Sequence, residues 1–338
     1  MCSLKVTNEN CIARSVEEEL AVPHMRINPI SKETVIMSEN RSKRPTDFSS
    51  SKNYIGKMKF REDCPFCIAN QHMTAEKIYD SEGSYPVTVV ENKYPIVLKK
   101  EDTKSNIYGF HYVVIEGREH SKSFYELEKV HIAEIIKAYI NVSKDIYENK
   151  FIKYVQIFKN NGRDAGASLQ HPHSQIVGIN IMPEKVKKEI ENTKEYYKNN
   201  NMCALCDILK NEIQIKERIV YEGKEFIALC PYSSTYKYEI QIVKRKHSST
   251  MLNLDKREID DLSDMLKVVT NKLHRVLGEN ISYNIYYNFI KEDNEYYHFY
   301  IEICPRTVKG AGFEISTGIM VNTVLPEIAA KNLREAIV

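Results

Sequence analysis

The residues with the clearest chemistry lie in GASLQHPHSQI, residues 166 to 176. Two histidines, His171 and His173, stand two apart in a run that otherwise reads as a strand. Positions i, i+2 and i+4 of a strand share one face. His171, His173 and Gln175 would then point one way, and Pro172 and Ser174 the other. Three polar, nitrogen-bearing side chains make poor core, so that face is expected to do chemistry. Just upstream, NNGRDAG is turn-rich, and Gly162 and Gly166 permit close backbone approach and unusual dihedrals. Successive backbone N–H groups there could hold a phosphate, with Ser168 and Gln175 adding side-chain contacts. A basic group, Arg41, Lys43 and Arg44, offers charge and bidentate hydrogen bonds to phosphoryl oxygens. The plainer reading of those three is a solvated turn.

Metal-ligand spacing occurs twice. Cys64-x-x-Cys67 is followed by His120, and His171 comes 51 residues later. Cys203-x-x-Cys206 is followed by His247, and His298 again comes 51 residues later. The first histidines share their surroundings, VIEGREHSKS against IVKRKHSST. Thiolates with imidazoles favour zinc, and four protein ligands leave no open position for water. Two structural zinc ions per chain are therefore expected, with no organic cofactor. The alternative is buried cysteines and ordinary histidines, which a matched second copy disfavours. A redox role is disfavoured because neither pair opens a βαβ unit. With His171 committed to metal, His173 is left as a rigidly placed nucleophile or base. A phosphoryl group attacked there would form a phosphoramidate, its developing charge met by Gln175, Ser168 and backbone donors. Aligning the copies puts Tyr300 at the place of His173 and Glu302 at that of Gln175. One nucleophile per chain follows.

The elements that must position these groups also recur. Short apolar stretches from Met25 to Met37 flank a turn at NPISKET. Strands are expected near 85 to 92, 110 to 116 and 155 to 158, and a helix over 121 to 149 with Phe124, Leu127, Val130, Ile132, Ile135 and Ile136 as its apolar stripe. A charged connector helix spans roughly 182 to 199. The second copy offers strands VYEGKEFIALC and EIQIVK, a helix over 254 to 277, and strands SYNIYYNF and YYHFYIEI. The fold class is α+β, as two tandem repeats, each an antiparallel sheet with helices on one face. Residues 1–24 read as a leader, 25–190 as the catalytic repeat with the first metal site, and 191–338 as the second repeat. The repeats would join edge to edge or dimerise.

The 338 residues suit two domains, and 42% hydrophobic with 28% charged residues is ordinary globular composition. A net charge of +2 argues against a non-specific nucleic-acid or membrane surface. The N-terminal stretch lacks a signal peptide's apolar segment, and no run reaches membrane-span length. A cytoplasmic protein is expected.

With these motifs in place, the chain resembles galactose-1-phosphate uridylyltransferases, within the histidine-triad superfamily. RINPISKETVIMSENRSKRP, CPFC, the EGREH histidine, FKNNGRDAGASLQHPHSQI and GFEISTG…LPEIAAKNLRE occur in that family's order. The resemblance covers most of the chain. It implies ping-pong nucleotidyl transfer, with His173 attacking the α-phosphorus of a nucleoside-diphosphate sugar. Sugar 1-phosphate leaves, and a second sugar 1-phosphate takes the nucleotidyl group. Arg41, Arg44, Asn160, Gly166, Ser168 and Gln175 match phosphate-contacting positions, Asn92 a base- or ribose-side position, and Glu314 a sugar-binding one. A homodimer is implied, in which Glu314 could act in trans. Lys93 stands where well-studied uridylyltransferases are acidic, which leaves the base open. Bacterial members carry an iron site where this chain has Cys203, Cys206, His247 and His298. That set, with GFEISTG, is more like a plant-type relative that phosphorolyses ADP-glucose. UDP-glucose:hexose-1-phosphate uridylyl transfer leads. ADP-glucose phosphorolysis is the alternative. A histidine-triad hydrolase, whose third alternating histidine Gln175 replaces, and a non-enzymatic zinc-stabilised binding module stand behind them.

Overall fold

In a computed structural model, residues 22–43, 58–82, 85–308 and 310–338 are described. The described chain opens on a hairpin of β1 (His24–Ile27) and β2 (Thr34–Met37). Its turn is closed by Asn28, whose carboxamide oxygen accepts from the backbone N–H groups of Ile30 (2.9 Å) and Ser31 (3.0 Å). The first repeat continues with β3 (Lys77–Asp80), β4 (Thr88–Glu91), β5 (Gly109–Ile115), helix α1 (Lys129–Glu148), β6 (Tyr154–Asn161) and β7 (His173–Ile179). After α2 (Glu184–Asn200) and α3 (Ala204–Ile215) come β8 (Ile219–Glu222), β9 (Phe226–Leu229), β10 (Ile240–Lys244), α4 (Lys256–Leu277), β11 (Tyr283–Asn288) and β12 (Tyr300–Pro305). The chain closes with α5 (Gly312–Thr317), β13 (Met320–Asn322) and α6 (Pro326–Glu335).

The repeats join edge to edge. One sheet of ten strands runs β3-β4-β5-β7-β6-β11-β12-β10-β9-β8, with every neighbouring pair antiparallel. Read inward from each outer edge, the strand order of the two halves is the same, and β6 meets β11 at the centre. Both long helices pack on one face of this sheet. Ile132, Ile135, Ile136 and Tyr139 of α1 and Leu262, Met265, Leu266, Val269 and Leu273 of α4 are fully buried against Val114, Ile176, Ile285 and Ile301. That shared core fixes the sheet; on the opposite face the first half carries His173 and Gln175, whereas in the second half α3 packs Leu205 and Leu209 against Ile227, Leu229 and Val243. A smaller sheet, β1-β2-β13, is parallel between β2 and β13 and ties the two ends of the described chain together.

The helix expected over 121 to 149 is shorter. A single tight turn, Phe124–Glu126, comes first, closed by a capping box between Ser123 and Glu126. Leu127 and Glu128 are extended, so α1 starts at Lys129. Val130 is 53% exposed and lies off the apolar stripe, because the break resets the helical phase. The second long helix matches its expected span. Its N-terminus is held by Asp255 and Glu258, each accepting the other's backbone N–H at 2.9 Å. Among the described residues, no helix is long and apolar enough to cross a membrane.

Candidate active site and metal clusters

The strand carrying His173 begins at that residue rather than upstream of it. Pro172 has no N–H to give the ladder, although its carbonyl still accepts from Glu116. His171 therefore lies on the approach to β7, and its ring is committed elsewhere. Its Nδ1 sits 3.7 Å from the Cys67 sulfur, and its Nε2 donates to the Gly117 carbonyl at 2.8 Å. The backbone carbonyl of the same His171 accepts from Nδ1 of His173 at 2.8 Å. A carbonyl can only accept, so His173 carries its proton on Nδ1 and keeps Nε2 bare. His173 is 8% exposed, and burial lowers its pKa, which keeps the ring neutral. Phe66, between the two cysteines of the first pair, tilts against the His173 ring with centroids 5.4 Å apart.

Beneath the strand, on the helix face, a buried ion pair holds it. Lys159 of β6 pairs with Glu116 and donates to the His173 carbonyl at 3.2 Å. Both charges are almost wholly buried, at 2% and 0% exposure. Tyr139 of α1 places its hydroxyl 2.7 Å from Ser174 Oγ and 3.2 Å from Glu116. The backbone of His173 is thus braced from the core.

Two side-chain amides share its outer face. Gln175 is paired across to Val113 of β5 and Phe158 of β6, and its Oε1 lies 2.8 Å from Nε2 of His111. Asn160, two residues along β6 from Phe158, has its Oδ1 capped by Nδ2 of Asn284 at 2.7 Å. Arg306 in turn donates to the Asn284 oxygen, and it reaches the Tyr286 hydroxyl at 2.6 Å. His111, Asn284, Arg306, Glu116 and Lys159 went unnoticed in the sequence. A histidine inside the apolar run FHYVVIE was the available signal for the first.

The glycine loop differs from the expectation of a backbone phosphate cradle. Gly162 and Gly166 do adopt left-handed φ values, 82° and 84°. Most N–H groups of the loop are spent, however: Ala165 and Ala167 donate to Gly162, Gly166 donates to Arg163, and Asp164 donates to Ser282. Ser168 is exposed beside this loop. Asn92 follows β4, and its Nδ2 lies 3.1 Å from His111 Nε2. Arg41 is exposed in the turn after β2, near enough to Glu314 at the start of α5 to lower that carboxyl's pKa, behind the larger effect of backbone N–H groups. These two sit together by the small sheet, apart from the hydrogen bonds around His173. Arg44 lies outside the described residues, as does the Lys43 side chain.

All eight expected ligands assemble as two sets, Cys64, Cys67, His120 and His171, and Cys203, Cys206, His247 and His298. Within each set the ligand atoms lie within 4.8 Å of one another. In the first, Cys67 Sγ is 3.5 Å from His120 Nδ1. In the second, Cys206 Sγ is 3.3 Å from His247 Nδ1 and 3.4 Å from His298 Nδ1. The outward nitrogens are oriented by carbonyls, His247 to Asn294 at 2.7 Å and His298 to Lys244 at 3.0 Å. That is how protein metal ligands are aimed. Burial pushes His171 down to about 4, so it is neutral as a ligand must be. Either cluster could hold a metal ion.

Comparison with known proteins agrees with this arrangement. Residues 14–183 match the family model described as galactose-1-phosphate uridyl transferase, N-terminal domain, and residues 111–338 match a domain of unknown function, DUF4921. ADP-glucose phosphorylase of Arabidopsis thaliana is 33% identical over 93% of both chains. Galactose-1-phosphate uridylyltransferase of Thermotoga maritima is 29% identical, covering 92% of this chain and 98% of its own. The crystal structure of the Arabidopsis phosphorylase with bound ADP-glucose superposes with a TM-score of 0.83 at 32% identity, over 94% of this chain and 100% of that one.

Proposed function

From a chain that belongs to the galactose-1-phosphate uridyl transferase family, we propose an enzyme that transfers a nucleotidyl group through a covalent nucleotidyl-His173 intermediate. The observation that carries this is the hydrogen bond from His173 Nδ1 to the His171 carbonyl. It leaves a neutral, buried imidazole with one bare nitrogen on a strand anchored by its own neighbour. Nε2 attacks the α-phosphorus of a nucleoside-diphosphate hexose. The bond from that phosphorus to the bridging oxygen breaks, and hexose 1-phosphate leaves with the electron pair. An acceptor phosphate oxygen then attacks the same phosphorus and frees the imidazole. Gln175 and Asn160 supply amide donors to the phosphoryl oxygens, which gather charge in both transition states. Asn92 serves the base or ribose side.

Both Cys2His2 sets fit zinc. Bonds of ~2.3 Å to sulfur and ~2.0 Å to nitrogen at tetrahedral angles put the two atoms about 3.5 Å apart. The sulfur–nitrogen separations run from 3.3 to 3.9 Å. Zinc there is structural, cross-linking the cysteine elements to the strands. The assembly is a homodimer, in which Arg41 and Glu314 of one chain complete the sugar and phosphate side of its partner's site.

Uridylyl transfer between hexose 1-phosphates is the leading reading. ADP-glucose phosphorolysis, with inorganic phosphate as acceptor, is favoured by two features, the full Cys2His2 set of the second cluster and Lys93 next to Asn92. The experiment mixes stoichiometric enzyme with UDP-glucose and, separately, ADP-glucose, without acceptor. Released glucose 1-phosphate and the mass added at His173 are measured. A uridylyl adduct supports the first reading and an adenylyl adduct alone the second. No adduct with either sinks both.

A further inference from the structure

We infer that His111 is a positioning residue that turns Gln175 into an obligatory hydrogen-bond donor toward the phosphoryl group. The inference rests on the nucleotidyl-transfer reading and deepens it. An unconstrained glutamine amide can present either its oxygen or its nitrogen to a ligand, and only the nitrogen helps a phosphoryl oxygen. What fixes the choice here is a chain of contacts that starts at the backbone. The Ile96 N–H donates to Nδ1 of His111 at 3.1 Å. A backbone N–H can only donate, so Nδ1 must be bare and the His111 proton must sit on Nε2. That Nε2–H lies 2.8 Å from Gln175 Oε1. A flipped amide would set two donors against each other. The Asn92 amide nitrogen, 3.1 Å from the same Nε2, is itself a donor because the Tyr94 N–H holds the Asn92 oxygen at 2.8 Å, so its hydrogens turn aside from the Nε2–H and leave that proton to Gln175. Among the described residues the Gln175 amide nitrogen has no partner, which leaves it to a ligand.

The ring is well placed to hold this arrangement. His111 is 7% exposed on β5, directly beside the strand that bears Gln175 and His173. Burial lowers its pKa, so the neutral form persists at neutral pH. The second repeat treats the other amide in the same way, since Asn284 caps the oxygen of Asn160. Asn92, expected on the base or ribose side, lies with Ile96 on the segment that touches the ring. His111 thus joins that segment to the phosphate side.

The test is single-turnover nucleotidylation of chains that keep His173 and carry His111→Phe, His111→Gln, Gln175→Ala, or His111→Phe with Gln175→Ala. A positioning role predicts that His111→Phe slows adduct formation at saturating nucleotide sugar by about 10- to 100-fold, with little change in the half-saturating concentration. His111→Gln, which keeps an N–H near the Nε2 position, recovers most of the rate. The double variant is no slower than Gln175→Ala alone. A His111→Phe chain at full rate, or losses that multiply in the double variant, would overturn the inference. Histidine-selective nitrogen-15 NMR gives a readout independent of turnover. The Nε2–H tautomer is expected at His111, with its signal shifting on Gln175→Ala. An Nδ1–H tautomer overturns the inference even if the wild-type chain forms its adduct. A wild-type chain without adduct defeats the proposed function instead, and the tautomer still decides the His111–Gln175 contact.

Discussion

A histidine attacks phosphorus only as a neutral ring with one nitrogen bare, and His173 meets both conditions through burial and a single bond to its neighbour's carbonyl. His173→Gly should lower transfer by at least about 10³-fold while the metal content and melting temperature stay near wild type. A variant that turns over normally would remove the nucleophile from the scheme. The brace below the strand makes a different prediction. Glu116→Gln leaves the Lys159 ammonium buried without its counter-charge, a loss of about 3–5 kcal/mol measurable by denaturant unfolding. A cost under about 1 kcal/mol would mean water reaches the pair. At this scale the sequence was legible wherever one residue type at one spacing implies its chemistry. The HPHSQ run and both Cys-x-x-C pairs are such cases. His111 and the Asn284–Arg306 pair were not legible. Their roles depend on which strands lie side by side, and neither composition nor spacing within one strand reveals that.

Helix α4 was readable because its period is long and its cap is local. The break before α1 was not, since an apolar stripe at helical spacing also fits a turn followed by a helix. Short strands such as β3, KIYD, carry too little pattern to stand out. The cysteine elements differ between repeats: a tight turn follows Cys67, whereas Cys203 caps α3. The ligands tie each element to its sheet beside the packing of Phe66 and Leu205, so Cys64→Ser should bring metal content from about two ions per chain toward one and lower the melting temperature. Unchanged metal and melting would argue that the cysteines are mere core. The second repeat's counterpart of the reactive strand is filled from within. The Tyr300 hydroxyl donates to Glu189 of α2 at 3.2 Å, and Glu302 accepts from Asn288 at 3.0 Å. Burial there pushes Glu189 up to about 7 and Glu239 up to about 8, with Glu302 adding repulsion. Both carboxyls keep their protons longer in the folded chain than in the unfolded one. Their stabilisation is complete below the ordinary carboxylate pKa and fades as pH rises toward 8. Lys185 opposes the trend from α2, and the Thr235 and Tyr236 N–H groups oppose it at Glu239. Glu239→Gln should therefore flatten the fall in melting temperature between pH 6 and pH 8.5, read by calorimetry. An equal or steeper fall would place the ionisation elsewhere.

Joining two repeats through β6 and β11 makes one sheet whose one face both long helices cover, while on the other face α2 and α3 cover the second half and leave the strand of His173 and Gln175 to the first. Sequence announced the duplication through its 51-residue spacing. It left open whether the copies meet within a chain, because edge pairing is decided by backbone hydrogen bonds that every strand can offer. Arg41 and Glu314 raise the same question one level up. They lie beside the small sheet that joins the ends of the described chain, and His173 lies in the large one. Closing a site from these parts across a two-fold axis would use each group twice, once per partner. The consequence is a complementation test. His173→Gly chains keep Glu314, and Glu314→Ala chains keep His173. Dissociated, mixed in equal amounts and reassociated, half the dimers would be mixed, each with one intact site. Roughly a quarter of wild-type transfer should then return from two inactive parents. If Glu314 instead serves the His173 of its own chain, every site retains a lesion and mixing restores nothing.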